Sequence, residues 1–102
     1  MSQVRRGLLE LCILNLLEKQ TTYGYQLVRQ LEAVPGLVVT EGTIYPLLSR
    51  LKRLGYLSSQ LVESPQGPAR RNYVVTTQGR QYLRQLNVAW QQIVSAVNGF
   101  IQ

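Results

Sequence analysis

Histidine and aspartate are both absent from this 102-residue sequence, and cysteine occurs only once. Without histidine, neither a Ser–His nor a Cys–His nucleophile pair can form, and a Cys/His zinc cluster is excluded. The single Cys12 cannot form a disulfide within the chain, and its place in an apolar run favours a small core residue over a reactive thiol. The five acidic residues are scattered glutamates that suggest no carboxylate pair. We therefore expect no enzyme, no metal site and no cofactor.

Long uninterrupted hydrophobic runs are also missing. The N-terminal apolar segment is too short for a membrane span, and Glu10, Asn15 and Glu18 interrupt it. It also lacks the small-residue cleavage site that is typical of a signal peptide. We expect no membrane partner, and the cytoplasm is the default location.

What the chain does contain is positive charge and a high apolar content. Eleven Lys and Arg residues against five acids give a formal net charge of +6. This excess favours a nucleic acid or another anionic partner, although it can also serve solubility alone. Apolar residues make up 45% of the chain, which is enough for one compact domain. Because a domain this small is only marginally stable alone, a partner subunit would help.

Hydrophobic periodicity predicts two helices in the first third of the chain. Residues 5–19 are apolar nearly all round, which indicates a helix that is buried on more than one side. Residues 23–34 form the second candidate, with Thr22 as its N-cap, and the Pro-Gly pair at 35–36 ends it. Gly24 lies on the inner side of this helix, where it would allow a close helix–helix approach.

The stretch 42–57, GTIYPLLSRLKRLGYL, predicts a third helix with two different faces. The helix begins between Thr40 and Thr43, because proline is tolerated only near a helix start, and Gly55 ends it. One face is an apolar stripe that consists of Ile44, Leu47, Leu48, Leu51 and Leu54. The opposite face carries Gly42, Tyr45, Pro46, Ser49 and Arg53, flanked by Arg50 and Lys52.

The residues after Gly55 predict a β-hairpin. Strand patterns cover 56–63 and 70–76, and the turn residues 64–68 between them include two prolines and a glycine. Five turn residues predict a connection longer than that of the tightest hairpins. Arg70 and Arg71 would lie just beyond this projecting turn.

The last predicted helix, capped by Thr76 or Thr77, carries a heptad-like seam. The seam residues are spaced 3, 4, 3, 4 and 3 apart, and they are Leu83, Leu86, Trp90, Ile93, Val97 and Phe100. We expect the seam to form a dimer interface, because it follows a complete small domain; the alternative is a helix that folds back on its own domain. Two copies of Trp90 could stack a small planar aromatic effector between them, or Trp90 could simply fill the interface.

This order of elements predicts a mainly α fold with a small β-hairpin. A winged helix-turn-helix domain would cover 1–76, followed by a dimerisation helix over 77–102. In such a domain the third helix enters the major groove of double-stranded DNA, and the hairpin is the wing. Ten residues are expected to contact DNA: Thr40, Gly42, Thr43, Tyr45, Pro46, Ser49, Arg50, Arg53, Arg70 and Arg71. Arg5 and Arg6 would add phosphate contacts from the first helix.

Four motifs of the sequence resemble the PadR-like transcriptional regulators. They are Y-G-Y-Q-L at 23–27, G-T-I-Y-P-L-L-S-R-L at 42–51, G-Y-L at 55–57 and R-R-N-Y-V-V-T-T-Q-G at 70–79. The resemblance covers the chain from about Gly7 to the final helix. It implies a homodimeric repressor that binds an inverted-repeat operator and is often relieved by a small effector.

The resemblance also assigns residues by position. Thr43, Tyr45 and Pro46 match the recognition helix of the family, and the arginine pair at 70–71 matches the wing. The single final helix resembles the short subfamily. Asn72 departs from the family pattern, in which an aromatic residue is common at this position.

Two other functions compete with a DNA-binding regulator. The first is a winged-helix module that presents the same basic faces to an acidic protein surface and does not bind DNA. The second is an enzyme, which is the weakest interpretation because no side chain supplies a base near neutral pH.

Overall fold

The computed structural model describes residues 2–101 and contains four helices and a three-stranded antiparallel sheet. The elements in chain order are α1 (Gln3–Lys19), β1 (Thr22–Tyr23), α2 (Gly24–Glu32), α3 (Glu41–Arg53), β2 (Leu57–Ser64), β3 (Gly67–Val75) and α4 (Thr77–Ile101). The predicted fold class, a winged helix followed by a long C-terminal helix, is confirmed. Met1 and Gln102, the outer ends of the two predicted domains, lie outside the described residues.

One hydrophobic core joins the first three helices to the sheet and to the start of α4. Its fully buried side chains are Leu9, Ile13, Leu14, Leu27, Val28, Leu31, Ile44, Leu48 and Leu51. Each such burial contributes about 1.5–3 kcal/mol relative to an exposed side chain. All three helices therefore hold one another in place through one shared cluster.

The entry to α2 differs from the prediction. Thr22 is not the N-cap, because it lies in β1 and its hydroxyl donates to Gln26 Oε1 at 2.8 Å. β1 pairs with β3 instead, with Thr22 opposite Tyr73. An ideal Cβ on Gly24 would lie 3.0 Å from Tyr45 Cε1, so this glycine does permit the close approach of α3 that its position predicts.

The bounds of α3 agree with the prediction. Thr40 is the N-cap residue, and Gly55 adopts φ +87° after the helix end. The Tyr56 N–H donates to Leu51 O at 3.0 Å and the Gly55 N–H donates to Lys52 O at 3.0 Å, which is the Schellman arrangement. Leu54 does not belong to the buried stripe, because it is the C-cap residue and is 42% exposed.

The wing has a tighter turn than predicted. The strands pair from Leu57 opposite Val75 to Ser64 opposite Gly67, so only residues 65 and 66 connect them. Arg70 and Arg71 therefore lie within β3 and not just beyond the turn. Pro68 is tolerated in this strand, because β1 pairs with β3 only at Tyr73 and Asn72 and leaves the outer part of β3 with one bare edge.

The beginning of α4 is fixed to the domain. Thr76 is its cap, since the Gly79 N–H donates to Thr76 Oγ1 at 2.9 Å. Further along, Asn15 of α1 and Asn87 of α4 exchange two side-chain hydrogen bonds of 3.0 Å. None of the helices within residues 2–101 is long and apolar enough to cross a membrane.

The predicted seam of α4 divides into two parts. Leu83 is only 3% exposed because it lies in the core of its own protomer, and Leu86 packs against that core. Leu83 is therefore unavailable to a partner subunit, which corrects the prediction for this residue. The other four seam residues are exposed: Trp90 by 38%, Ile93 by 56%, Val97 by 48% and Phe100 by 94%.

Candidate nucleic-acid interface

The outer face of α3 is open because the apolar stripe holds the opposite face in the core. Ile44, Leu48 and Leu51 are completely buried. The residues exposed on the outer side are Gly42, Tyr45, Pro46, Ser49, Lys52 and Arg53. No other element within residues 2–101 covers this face, so it is accessible to a large partner.

Two threonines and a tyrosine mark the N-terminal end of α3. The hydroxyl oxygens of Thr40 and Thr43 lie 3.3 Å apart, and the Thr40 side chain makes no capping hydrogen bond. The Tyr45 ring packs over Gly24, and burial, followed by the influence of Glu41 and Tyr73, raises the pKa of the Tyr45 phenol. Tyr45 therefore keeps its proton and can donate a hydrogen bond to an anionic oxygen.

Pro46 has a consequence for the backbone of this face. Because proline lacks an N–H, the carbonyl of Gly42 has no helical donor at residue 46. Gly42 is itself exposed, and because it has no side chain a partner can approach the backbone closely here.

A groove of about 450 Å³ separates the start of α3 from the wing. Its walls are Tyr23, Gly24, Tyr25, Tyr45, residues 66–71 and Tyr73. The Arg70 guanidinium lies 5.5 Å from the centre of the Tyr23 ring, a cation–π contact, and Arg71 Nη1 donates to Ser59 Oγ at 3.0 Å. Both wing arginines therefore border the same groove as Tyr45.

Positive charge on these surfaces is almost unneutralised. Among residues 2–101 the one ion pair joins Arg50 Nη1 to Glu10 Oε2 at 2.5 Å. Arg50 thus differs from the other arginines that are predicted to contact DNA, because Glu10 already neutralises its charge. Lys52, Arg53 and the two wing arginines have no carboxylate partner in the described part of the chain.

Arg5 of the first helix makes contacts within its own protomer. One Arg5 guanidinium nitrogen donates to the carbonyl oxygens of both Leu37 and Val38. Arg5 therefore holds the loop before α3 through these two hydrogen bonds. This loop needs support, because Val38 has φ +49°, a conformation that costs a β-branched residue free energy.

Comparison with known proteins identifies the family. Residues 13–85 match the profile of the transcriptional regulator PadR-like family. The chain belongs to the PadR-like family of transcriptional regulators. A PadR-like transcription factor from Bacteroides fragilis is 42% identical and has a TM-score of 0.83, with 96% of this chain and 94% of that chain covered.

Two further solved structures are similar to almost the whole chain. A PadR-like transcriptional regulator from Bacillus cereus is 35% identical, with a TM-score of 0.87 and coverage of 99% of this chain and 98% of that chain. A Streptococcus transcriptional regulator is 28% identical, with a TM-score of 0.89 and complete coverage of both chains.

Sequence reasoning did not place the start of α2 in the interface of this PadR-like regulator. Tyr23 and Tyr25 line the groove, and the exposed Tyr25 hydroxyl accepts a hydrogen bond from Arg29 Nη1 at 2.8 Å. The Y-G-Y motif was the available signal. Periodicity alone does not reveal this, because Tyr23 reaches the groove through the pairing of β1 with β3, and Tyr25 follows directly in α2.

Proposed function

We propose that this PadR-like protein is a homodimeric, sequence-specific repressor that binds an inverted-repeat operator in double-stranded DNA. The observation that carries the proposal is the exposed outer face of α3, whose Lys52 and Arg53 have no carboxylate partner among residues 2–101. A major groove admits one α-helix, and side chains on the outer face of that helix read the base edges.

Each part of the interface has a distinct task. Thr43, Tyr45 and Ser49 offer hydroxyl groups from the N-terminal half of the recognition helix, where base edges and the phosphates beside them lie. Arg53 and Lys52 meet phosphates at the other end of α3. Arg70 and Arg71 reach the backbone or an adjacent minor groove from the wing, where a narrow groove attracts arginine.

The protein groove between α3 and the wing suits the DNA backbone strand that separates the major groove from the minor groove. Tyrosine hydroxyls and Arg70 surround this space of about 450 Å³. A phosphate there would accept hydrogen bonds from the phenols and a charge-assisted bond from the guanidinium. These contacts set the register of the protein and carry no base information.

Dimerisation through α4 completes the operator geometry. Trp90, Ile93, Val97 and Phe100 expose apolar surface along one line of the helix, and a second copy related by a two-fold axis would cover it. Two recognition helices would then lie about 34–36 Å apart and enter successive major grooves. A change in the angle between the two copies of α4 would alter this spacing and weaken operator binding.

We also propose that Trp90 is the contact point for a small aromatic effector. A groove of about 840 Å³ runs between α1, α2 and α4, and its walls include Leu11, Leu16, Val34 and Trp90. An effector that stacks on Trp90 would bind one arrangement of the dimer better than the other and shift the population toward it. Trp90→Ala should weaken binding of flat aromatic ligands much more than it weakens the dimer; equal ligand binding by both proteins would contradict the pocket.

The test of DNA binding is operator selection from random duplexes with the purified protein. The expected result is a two-fold symmetric consensus whose affinity falls steeply with salt, with a slope of log K against log salt of about −0.9 for each phosphate neutralised. A protein-binding module would give no consensus and no salt-dependent duplex binding, and that result would refute the proposed function.

The test of the dimer uses two positions on α4. Val97→Glu places a charge on the exposed seam, whereas Val88→Glu places the same charge on an exposed residue of the same helix outside the seam. Sedimentation should show monomers for V97E and dimers for V88E, and only V97E should lose operator affinity. Dimers in both variants would show that the seam is not the interface.

A further inference from the structure

We infer that Arg50 is a positioning residue that orients the recognition helix through Glu10, and that it is not a DNA contact. The inference rests on the proposed DNA-binding function and assigns a different task to one of the basic residues of α3. Glu10 gains a role that neither its position in an apolar helix nor its charge reveals.

The ion pair joins a buried carboxylate to a half-buried guanidinium. The Glu10 side chain is 7% exposed and the Arg50 side chain 33% exposed, with Arg50 Nη1 at 2.5 Å from Glu10 Oε2. Glu10 is the buried charged residue of the described chain. A buried carboxylate without a partner is costly, so folding favours the arrangement in which α3 brings Arg50 to α1.

An aromatic stack lies beside this ion pair. The rings of Tyr56, which follows α3, and Tyr82 of α4 are parallel within 4°, with centroids 4.0 Å apart. The pKa of Tyr82 is raised first by burial, then by Tyr56 and Glu10, with Arg50 acting in the opposite direction. The phenol of Tyr82 is thus close enough to the ion pair to sense both charges.

The end of α3 is also bonded to the start of α4. The Thr76 hydroxyl donates to Gly55 O at 2.7 Å, and the Thr76 N–H donates to Tyr56 O at 3.1 Å. α1, α3 and α4 therefore meet in one joint, which consists of Glu10, Arg50, Gly55, Tyr56, Thr76 and Tyr82. If α4 turns, this joint turns α3 with it, and the spacing of the two recognition helices follows the dimer angle.

Charge explains why Arg50 should not act as a phosphate contact. Its guanidinium is already neutralised by Glu10. Replacing Arg50 should therefore leave unchanged the number of counterions that DNA binding releases. Arg53 lies on the same helix, is exposed and has no carboxylate partner in the described chain. The two arginines are therefore a matched pair for separating orientation from phosphate attraction.

The experiment measures operator binding by fluorescence anisotropy over a range of salt concentrations, with full-length protein. Arg50→Met should lower affinity at least about tenfold, because it leaves Glu10 buried and unpaired, yet it should leave the salt slope unchanged. The double variant E10M/R50M, in which apolar side chains replace both partners, should recover most of this loss. Arg53→Met should reduce the magnitude of the salt slope by about 0.9, and Glu10→Met should not rescue it.

Two outcomes would overturn the inference. One is a reduced salt slope in R50M that matches R53M and is not restored in the double variant. The other is the absence of coupling between positions 10 and 50 in a double-mutant cycle of urea unfolding without DNA. The cycle remains informative if R50M folds poorly. The expected coupling is then a loss of stability in R50M that the additional change Glu10→Met reverses. If the wild type binds no duplex at any salt concentration, the proposed function fails, and the cycle still decides whether Glu10 and Arg50 are coupled in the folded protein.

Discussion

Gly79 in the first turn of α4 packs directly against the backbone of Tyr56, which belongs to the joint of α1, α3 and α4. An ideal Cβ at this position would lie 2.1 Å from the Tyr56 carbonyl oxygen and 2.9 Å from Val75 Cγ1. Gly79→Ala must move this oxygen to at least 3.0 Å, since real Cβ atoms essentially never come closer. The movement would disrupt the hydrogen bond from the Thr76 N–H to Tyr56 O.

The expected cost follows from three contributions. Overpacking costs about 1–3 kcal/mol, and a buried carbonyl that loses its donor costs about 1–3 kcal/mol. The higher helix propensity of alanine offsets about 1 kcal/mol of this loss in the free energy of unfolding. We therefore expect G79A to lower the free energy of unfolding by about 1–5 kcal/mol.

The assay is urea unfolding followed by far-UV circular dichroism. All proteins are compared at one protein concentration, because the stability of a dimer depends on concentration. Gly7 is the matched control: it lies in α1, and an ideal Cβ there meets no atom within 4 Å. Gly7→Ala should gain up to about 1 kcal/mol. A G79A protein as stable as the wild type would refute this account of the joint.

Three further predictions concern stability and reactivity. Leu48→Ala removes a fully buried side chain from the stripe of α3 and should cost about 2–5 kcal/mol in urea unfolding with an unchanged m-value. Burial raises the pKa of Tyr82, so the folded protein holds this proton more tightly than the unfolded chain does. The contribution of Tyr82 to the free energy of unfolding should be fully present below about pH 10. It should be lost as the pH rises through the raised pKa. Tyr82→Phe should make this alkaline loss shallower, and an unchanged pH dependence would exclude Tyr82 as its source. Burial also raises the pKa of the Cys12 thiol, so Cys12 should react with a thiol reagent at pH 8 more slowly in the folded protein than in guanidinium; equal rates would contradict its burial.

The helix α3 could be predicted from sequence because its signals are local. Thr40, Pro46 and Gly55 mark its ends within a few residues, and the leucine spacing defines its buried side. The prediction for Leu54 is wrong. Its spacing from Leu51 fits a helix, but the helix ends at Arg53 and Leu54 is the C-cap residue.

Features that depend on distant residues could not be predicted in this way. β1 has only two residues, and it exists because Thr22 and Tyr23 pair with β3. The wing turn is short because Gly67 and Pro68, which are typical turn residues, extend β3 instead. The partner of Arg50 lies forty residues earlier in the chain, in a helix whose other buried residues are all apolar.

The helix α4 has features of both kinds: a local spacing pattern that sequence shows, and contacts with distant residues that it does not show. Its heptad-like spacing correctly describes one continuous apolar line. Spacing cannot show how far the core contacts extend along that line. The structure ends them between Leu86 and Trp90, since Leu83 and Leu86 pack in or against the core and the later seam residues are exposed.

The central claim is that the apolar stripe of α3 turns the outer face of this helix toward duplex DNA. The most direct measurement is photo-crosslinking to the selected operator, with p-benzoylphenylalanine placed at Ser49 in one protein and at Gln30 in another. Ser49 is exposed on the outer face, whereas Gln30 borders the groove that contains Trp90. The account predicts crosslinks from position 49 to major-groove bases in both half-sites and none from position 30. Crosslinks from position 30 without any from position 49 would contradict it.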